Sequence, residues 1–237
     1  MIEILSGGGI IVLYILVCAT VALLIRVFTH IKDELFRKIL HMILIIALMF
    51  WPFIFEHWYV AVLTALGFIV LLFPALILAG RFKAFSSFVN ERKKGEFKIS
   101  MAIVLLMYAV VVAVCWGWRG DRILSLAVVS AWGYGDAAAA LIGKRFGRHY
   151  IEGKHIEGRK SVEGSLAMFC TSFICVLTVL LIRGGMDWYE YIITALITAA
   201  VTAVVELYSM HGSDTVTCPF SAMAVLVPLT WLFGSVI

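Results

Sequence analysis

The chain has 237 residues, of which 63% are hydrophobic and 14% are charged, and its formal net charge at pH 7 is +4. About a quarter of the residues are charged in an average soluble domain, so this composition, with a mean hydropathy of +1.04, favours an integral membrane protein over a water-soluble one. The basic residues lie in short segments between apolar runs and form no stripe with interleaved aromatic residues, which argues against nucleic-acid binding.

Apolar runs of about 20 residues, the length that crosses a bilayer as an α-helix, recur along the whole chain. They predict an all-α integral membrane protein with about eight transmembrane helices in a single polytopic domain, residues 1–237. The predicted spans are 8–27, 38–56, 58–80, 99–118, 122–143, 163–182, 189–208 and 217–236. No basic segment or small-residue cleavage site accompanies the first run, so we expect a membrane helix there rather than a signal peptide.

The Lys and Arg residues are distributed unequally between the two sets of connections. The first, third and fifth connections hold 16 of them, whereas the opposite set holds three, Arg119, Arg122 and Arg183. Because cytosolic loops are enriched in Lys and Arg, we expect the odd-numbered connections in the cytosol and both termini outside. The seventh connection, residues 209–217, has no Lys or Arg but must then also be cytosolic. The membrane would be a bacterial inner membrane or one of the endoplasmic reticulum type.

Two carboxylates lie inside predicted spans, near the cytosolic ends. Asp136 lies about eight residues before Lys144, a depth of roughly 12 Å at 1.5 Å per residue, and Glu206 lies in the seventh span, closer to the end of that span. A carboxylate inside a membrane costs several kcal/mol unless it is paired or metal-bound, so both are candidate functional residues. Asp214, in the seventh connection, faces the same compartment. The structural alternative is an ion pair inside a tight helix bundle.

Small residues surround Asp136 in the sequence. Gly135, Ala139 and Gly143 recur every four residues and therefore form one edge of the predicted helix. An edge of small residues lets the backbone of another helix approach closely. We expect a neighbouring membrane helix to pack against this edge.

The fifth connection ends in cationic residues at the predicted start of a helix. Ser161 is a natural N-cap, so we expect free backbone N–H groups and the positive end of a helix dipole there, next to Arg159 and Lys160. This combination predicts a polyphosphate site. The Glu163 carboxylate in the first turn would repel a phosphate that has no bound cation. It instead favours a divalent cation between the carboxylate and the phosphate, since Mg²⁺ is usually held by one or two carboxylates plus phosphate oxygens. The simpler alternative is a positive-inside loop followed by a well-capped helix.

A third group of polar residues begins the second span. Glu34, Arg37, Lys38 and His41 fall three or four residues apart and therefore share one helix face. Two cations and an imidazole at the membrane boundary are suited to a phosphate or a polar headgroup. The alternative is an interfacial anchor whose long side chains reach the headgroup region.

Together these motifs resemble a known family. Residues 135–147, GDAAAALIGKRFG, followed by residues 160–165, KSVEGS, are similar to the signature of membrane lipid-alcohol kinases that use CTP: the dolichol kinase, phytol kinase and yeast-type diacylglycerol kinase group. The CDP-diacylglycerol synthases, which also bind CTP and Mg²⁺, share that stretch. Arg37, Lys38 and His41 resemble the N-terminal element of the kinases, and residues 206–219 resemble their C-terminal element. In that element Thr215 stands where the kinases usually have Asn.

The resemblance implies transfer of the γ-phosphoryl group of CTP to the hydroxyl of a lipid alcohol, with Mg²⁺ as cofactor. The implied nucleotide-binding residues are Gly143, Lys144, Gly147, Arg159, Lys160, Ser161 and Gly164. The implied metal ligands are Asp136, Glu163 and Asp214. The implied catalytic residues are Asp136, Glu206, Arg37 and Lys38, with Glu34 and His41 at the substrate headgroup.

Three points stay open at this level. The general base is either Asp136 or Glu206, and the lipid is a polyprenol such as dolichol, a phytol-like alcohol or diacylglycerol. A CDP-lipid synthase, which releases pyrophosphate from CTP, is the nearest alternative function. A small transporter that uses the two intramembrane acids is an alternative from another class, although it would not need a Gly-rich cationic loop.

Overall fold

The computed structural model describes residues 2–29, 31, 33–79, 96–153, 156, 160–210 and 212–234. Within these ranges the chain forms eight α-helices, and a π-helical segment, Ala113–Trp118, extends the fourth. In chain order the helices are α1 (Ile2–Thr29), α2 (Asp33–Ile54), α3 (Trp58–Ala79), α4 (Glu96–Val112), α5 (Arg122–Phe146), α6 (Val162–Arg183), α7 (Trp188–Tyr208) and α8 (Asp214–Phe233).

The lengths and composition of these helices confirm an all-α integral membrane protein. In the described part of the chain, seven helices are long and apolar enough to cross a membrane, and α3 is apolar over Trp58–Leu71. Each predicted span falls on one helix, in the same order along the chain. The number of crossings and the location of the termini stay predictions.

The predicted orientation has a direct test by cysteine labelling. In a variant that lacks the five native cysteines, we expect a membrane-impermeant maleimide added outside to label His57→Cys and Ile237→Cys but not Glu152→Cys or Ser213→Cys. Ser213 is a better probe than its neighbour Gly212, because Gly212 has φ +78°, where a cysteine would be strained. Labelling of Ser213→Cys from outside would contradict the placement of the seventh connection in the cytosol.

The chain divides into two compact units, Met1–Val110 and Val111–Ile237. The core of the first unit is aromatic: the Trp51 ring meets Phe68 at 5.5 Å and Tyr108 at 5.6 Å between ring centroids, both edge to face. The polar atoms of these rings are satisfied, since Trp51 Nε1 donates to the Ala61 carbonyl at 3.2 Å and the Tyr108 hydroxyl donates to the Leu48 carbonyl at 2.9 Å. The unit therefore has a specific, hydrogen-bonded core.

In the second unit α5 is the central helix, and it packs against α6 along its small-residue edge. A Cβ atom added to Gly164 of α6 would lie 3.1 Å from the carbonyl oxygen of Ala139 and 3.3 Å from Cα of Gly143. About two turns further along α6, the Ser172 hydroxyl donates to the carbonyl of Ala131 at 2.6 Å. The expected close approach of a second helix is thus confirmed, and α6 is that helix.

The start of α5 and the end of α6 are held together at the other end of this unit. Asp121 caps α5 by accepting from the N–H groups of Ile123 and Leu124, each at 3.1 Å. Its second carboxylate oxygen forms an ion pair with Arg183 in the last turn of α6. Both side chains are largely buried, so this pair fixes the relative height of the two helices.

Candidate active site

The second unit brings ionisable side chains from four elements to one end of its helix bundle. Asp136 lies on α5, Lys160 immediately precedes the α6 cap, Glu206 lies in the last turn of α7, and Asp214 begins α8. Glu206 is only 4% exposed. Its carboxylate forms an ion pair with Lys160, and the charges of Asp136 and Asp214 both act on it. The three acids predicted to meet are therefore close together, with one lysine among them.

The turn between α7 and α8 explains why Asp214 lies near Glu206. The Ser209 hydroxyl donates to the Val205 carbonyl at 2.7 Å and lies 2.7 Å from the Thr217 hydroxyl of α8, which joins the two helices. Gly212, with φ +78°, adopts the left-handed conformation that a tight reversal requires. The short connection leaves the last turn of α7 beside the first turn of α8.

A small hairpin positions Lys160. After α5 ends, with the Gly147 N–H donating to the Gly143 carbonyl, the chain turns back on itself. Two backbone bonds close the hairpin at 2.9 Å each: Ile151 N–H donates to the Lys160 carbonyl, and Val162 N–H donates to the His149 carbonyl. The Lys160 ammonium then donates to the backbone carbonyl of Glu206 at 3.1 Å as well as to its carboxylate. Arg159, a predicted nucleotide-binding residue, lies outside the described residues.

The start of α6 agrees in part with the sequence prediction. Ser161 is the N-cap, as predicted: it is 3% exposed, and its hydroxyl accepts from the Gly164 N–H at 3.1 Å. The expectation of free N–H groups is wrong for two of the donors, because Gly164 N–H is used by this cap and Val162 N–H by His149. Any phosphate near this terminus would depend more on cationic side chains than on backbone donors.

Glu163 has a different partner from the one expected of a metal ligand. Its carboxylate lies 2.7 Å from Nδ1 of His149 and accepts from the His149 backbone N–H at 3.3 Å. Sequence reasoning missed His149, because the two residues are 14 positions apart and meet only through the hairpin. Local spacing contains no signal for such a contact.

The remaining predicted nucleotide-binding residues lie around the crossing of α5 and α6. Gly143 and Gly164 are at the crossing itself, where the backbones nearly touch. Lys144 is exposed in the last turn of α5, next to the hairpin. A packing role therefore accounts for the two glycines, while Lys144 is placed where a cation can meet a ligand from the aqueous side.

The described side chains limit how a magnesium ion could bind. Among them no three His, Cys, Asp or Glu residues form a group that would hold a metal by itself. Asp136 and Asp214, both half-buried beside Glu206, fit the other common arrangement, in which one or two carboxylates share the ion with phosphate oxygens. Magnesium binding by these residues stays a prediction.

The predicted residues at the start of the second span belong to the first unit. Glu34, Arg37, Lys38 and His41 all lie within α2, so their spacing places them on one helix face, as expected. The side chains of Arg37, Lys38 and His41 are half-buried. Their roles in catalysis or headgroup binding stay predictions.

Comparison with known proteins gives one informative similarity. The chain is 34% identical over 96 residues to phytol kinase from Synechocystis sp.; the match covers 40% of this chain and 39% of that protein. The chain therefore matches about two fifths of the length of this curated relative. No protein-family model matches the chain, and no solved structure matches it. The partial similarity supports a relationship between this membrane protein and the lipid kinases.

Proposed function

We propose that the protein is a CTP-dependent kinase that phosphorylates the hydroxyl group of a membrane lipid alcohol at the cytosolic face. The observation that carries this proposal is the cluster of Asp136, Glu206 and Asp214 with Lys160, built on four elements of one unit. Phosphoryl transfer depends mainly on positioning and charge stabilisation, which acids, a cation and Mg²⁺ supply. The similarity to phytol kinase supports a lipid alcohol as the acceptor.

The different environments of the acids favour different roles. Glu206 is almost completely buried and already bound to Lys160, so it is poorly placed to accept a proton from a substrate. Asp136 is half-buried on α5 and more accessible. We assign Asp136 as the residue that orients the lipid hydroxyl and accepts its proton, or holds the metal, and Glu206 as the residue that positions Lys160.

The reaction then balances as a simple transfer. The lipid hydroxyl gives its proton to Asp136, or to water where Asp136 holds the metal. Its oxygen forms a bond to the γ-phosphorus of CTP, the bond from that phosphorus to the β-phosphate oxygen breaks, and CDP leaves. Mg²⁺, when bound with CTP, would neutralise charge on the phosphates, and Asp136 and Asp214 are the residues that would hold it. Lys160 and Lys144 would bind the phosphate oxygens. For this, Lys160 would give up part of its contact with Glu206 and bind a phosphate oxygen instead.

The position of a ³²P label in CTP distinguishes this proposal from the nearest alternative, a CDP-lipid synthase. With purified protein, Mg²⁺ and a series of lipid alcohols, we expect label from γ-³²P-CTP to enter the lipid fraction and label from α-³²P-CTP to remain in the nucleotide. A CDP-lipid synthase would instead transfer the α label, with the cytidylyl group, to a phospholipid acceptor. It would release the γ label as pyrophosphate. The Asp136→Asn variant provides the inactive control for both measurements.

Nucleotide preference is a separate prediction. Residues 153–161 do not form a P-loop, since Arg159 separates Gly158 from the Lys-Ser pair that must follow this glycine directly, and no strand precedes them among the residues that the structure describes. Because the chain also resembles kinases that use CTP, we expect kcat/KM with CTP to exceed that with ATP by about tenfold or more, a difference of about 1.4 kcal/mol. Competition between the two nucleotides in the labelling assay measures it. A clear preference for ATP would overturn the choice of donor and leave the kinase proposal intact.

A further inference from the structure

His149, in the loop between α5 and α6, makes several contacts with the start of α6. Glu163 binds both the ring and the backbone of His149, with Nδ1 at 2.7 Å and the backbone N–H at 3.3 Å from one carboxylate oxygen and 3.4 Å from the other. The carbonyl of His149 accepts from Val162 N–H at 2.9 Å. The backbone of residue 149 is thus bound on both its donor and its acceptor side by the first two residues of α6.

This double attachment lies next to the backbone bond that holds Lys160. The hairpin has His149–Ile151 on one side and Lys160–Val162 on the other. Within the described residues, the bond from Ile151 N–H is the only backbone bond of this pairing that involves Lys160 directly, and the bonds of residue 149 to Val162 and Glu163 hold the adjacent end of the hairpin. Lys160 must remain in place for its ammonium group to reach Glu206 and, in the proposed reaction, the phosphates.

We infer that Glu163 is a positioning residue, which with His149 closes the α5–α6 loop and holds Lys160 in the nucleotide site, rather than a magnesium ligand. The inference rests on the proposed function for its kinetic consequence but not for its structural one. The two bonds to Glu163 are not equally important. The His149 ring is 78% exposed, so solvent competes for its contact with the carboxylate, whereas the bond to the backbone N–H directly restrains the chain.

Three substitutions separate positioning from metal binding. Glu163→Ala removes both bonds, Glu163→Gln keeps an oxygen that accepts from the His149 N–H while removing the negative charge, and His149→Ala removes only the ring contact. Glu152→Gln is the matched control, since Glu152 is an exposed glutamate on the same loop. A metal ligand is sensitive to loss of charge, whereas a positioning residue is sensitive to loss of the acceptor.

For the kinetics, we expect Glu163→Ala to raise the KM for CTP by about tenfold with kcat changed by less than about threefold, since it acts through Lys160. We expect Glu163→Gln and His149→Ala to raise that KM by no more than about threefold, because each keeps the backbone bond. Glu152→Gln should match the parent. If Glu163→Gln lowers kcat by a hundredfold or more and raises the Mg²⁺ concentration needed for activity, Glu163 is a metal ligand and the inference is overturned.

Hydrogen–deuterium exchange tests the inference without any substrate. In detergent, amides of residues 148–153 should exchange faster in Glu163→Ala than in the parent, and at the parent rate in Glu163→Gln and Glu152→Gln. Unchanged exchange in Glu163→Ala would overturn the inference. If exchange changes as expected but the parent protein transfers no phosphoryl group from CTP to any lipid alcohol, the proposed function fails while the closure of the loop by Glu163 is supported.

Discussion

Asp136→Asn is expected to lower the rate of phosphoryl transfer by roughly a thousandfold or more, because losing a metal ligand or catalytic carboxylate costs several kcal/mol of transition-state stabilisation and each 1.36 kcal/mol is tenfold in rate. The substitution keeps the size of the side chain and removes its charge. The protein should still insert and fold, since neutralising a partly buried acid removes a desolvation cost. Single-turnover transfer from γ-labelled CTP measures the rate, and size-exclusion chromatography in detergent checks the fold.

Asp214→Asn is an informative companion of this variant. Asp214 is half-buried at the start of α8 and would share the metal, so its loss should raise the Mg²⁺ requirement more than it lowers the maximal rate. If Asp136→Asn stays active while it folds normally, the acid is structural. The reacting group should then be sought around Glu206 and Asp214.

The second large effect concerns the ion pair between Lys160 and Glu206. Lys160→Ala leaves a carboxylate that is 4% exposed without its cation. Removing one partner of a buried pair costs 3–5 kcal/mol when both are buried, and because the lysine side chain is 23% exposed, we expect about 2–3 kcal/mol of lost stability. Thermal unfolding in detergent, followed by tryptophan fluorescence, should show a lower Tm.

The double variant Lys160→Ala with Glu206→Gln distinguishes the two roles of Lys160. Removing the unpaired charge should restore most of the lost Tm, so the two substitutions should be strongly non-additive. The KM for CTP should nevertheless stay raised, because the cation that binds phosphate is still missing. Additive losses in Tm would mean that the pair contributes little, and recovery of KM in the double variant would contradict phosphate binding by Lys160.

The helices were predictable from sequence because the bilayer fixes their minimum length and excludes charge from their middle. The close crossing of α5 and α6 was predictable for a related reason: Gly135, Ala139 and Gly143 repeat at the spacing of one helix edge. Neither inference depends on long-range contacts. The first rests on the length and composition of each segment, and the second on periodicity within a single helix.

The candidate site was predictable only in part. That Asp136, Glu206 and Asp214 would lie at one end of the bundle followed from counting helix residues and alternating the sides of the membrane. Which acid would take Lys160 as its partner did not follow, because that depends on the hairpin. Backbone pairing between residues about ten positions apart has no periodic signature in a loop, and so the contact of Glu163 with His149 was missed.

The crossing of α5 and α6 also limits which substitutions this protein can accept during evolution. At Gly143 and Gly164 the two backbones are so close that even an added methyl carbon would lie within 3.2 Å of an atom across the crossing, so its neighbours would have to move. Leu166 and Ile174, on the outer surface of α6, are 58% and 61% exposed and can exchange with other apolar residues at little cost. Distant relatives should therefore keep the small residues at the crossing long after the outward-facing ones have diverged, and a search for them is better guided by that sparse pattern than by overall identity.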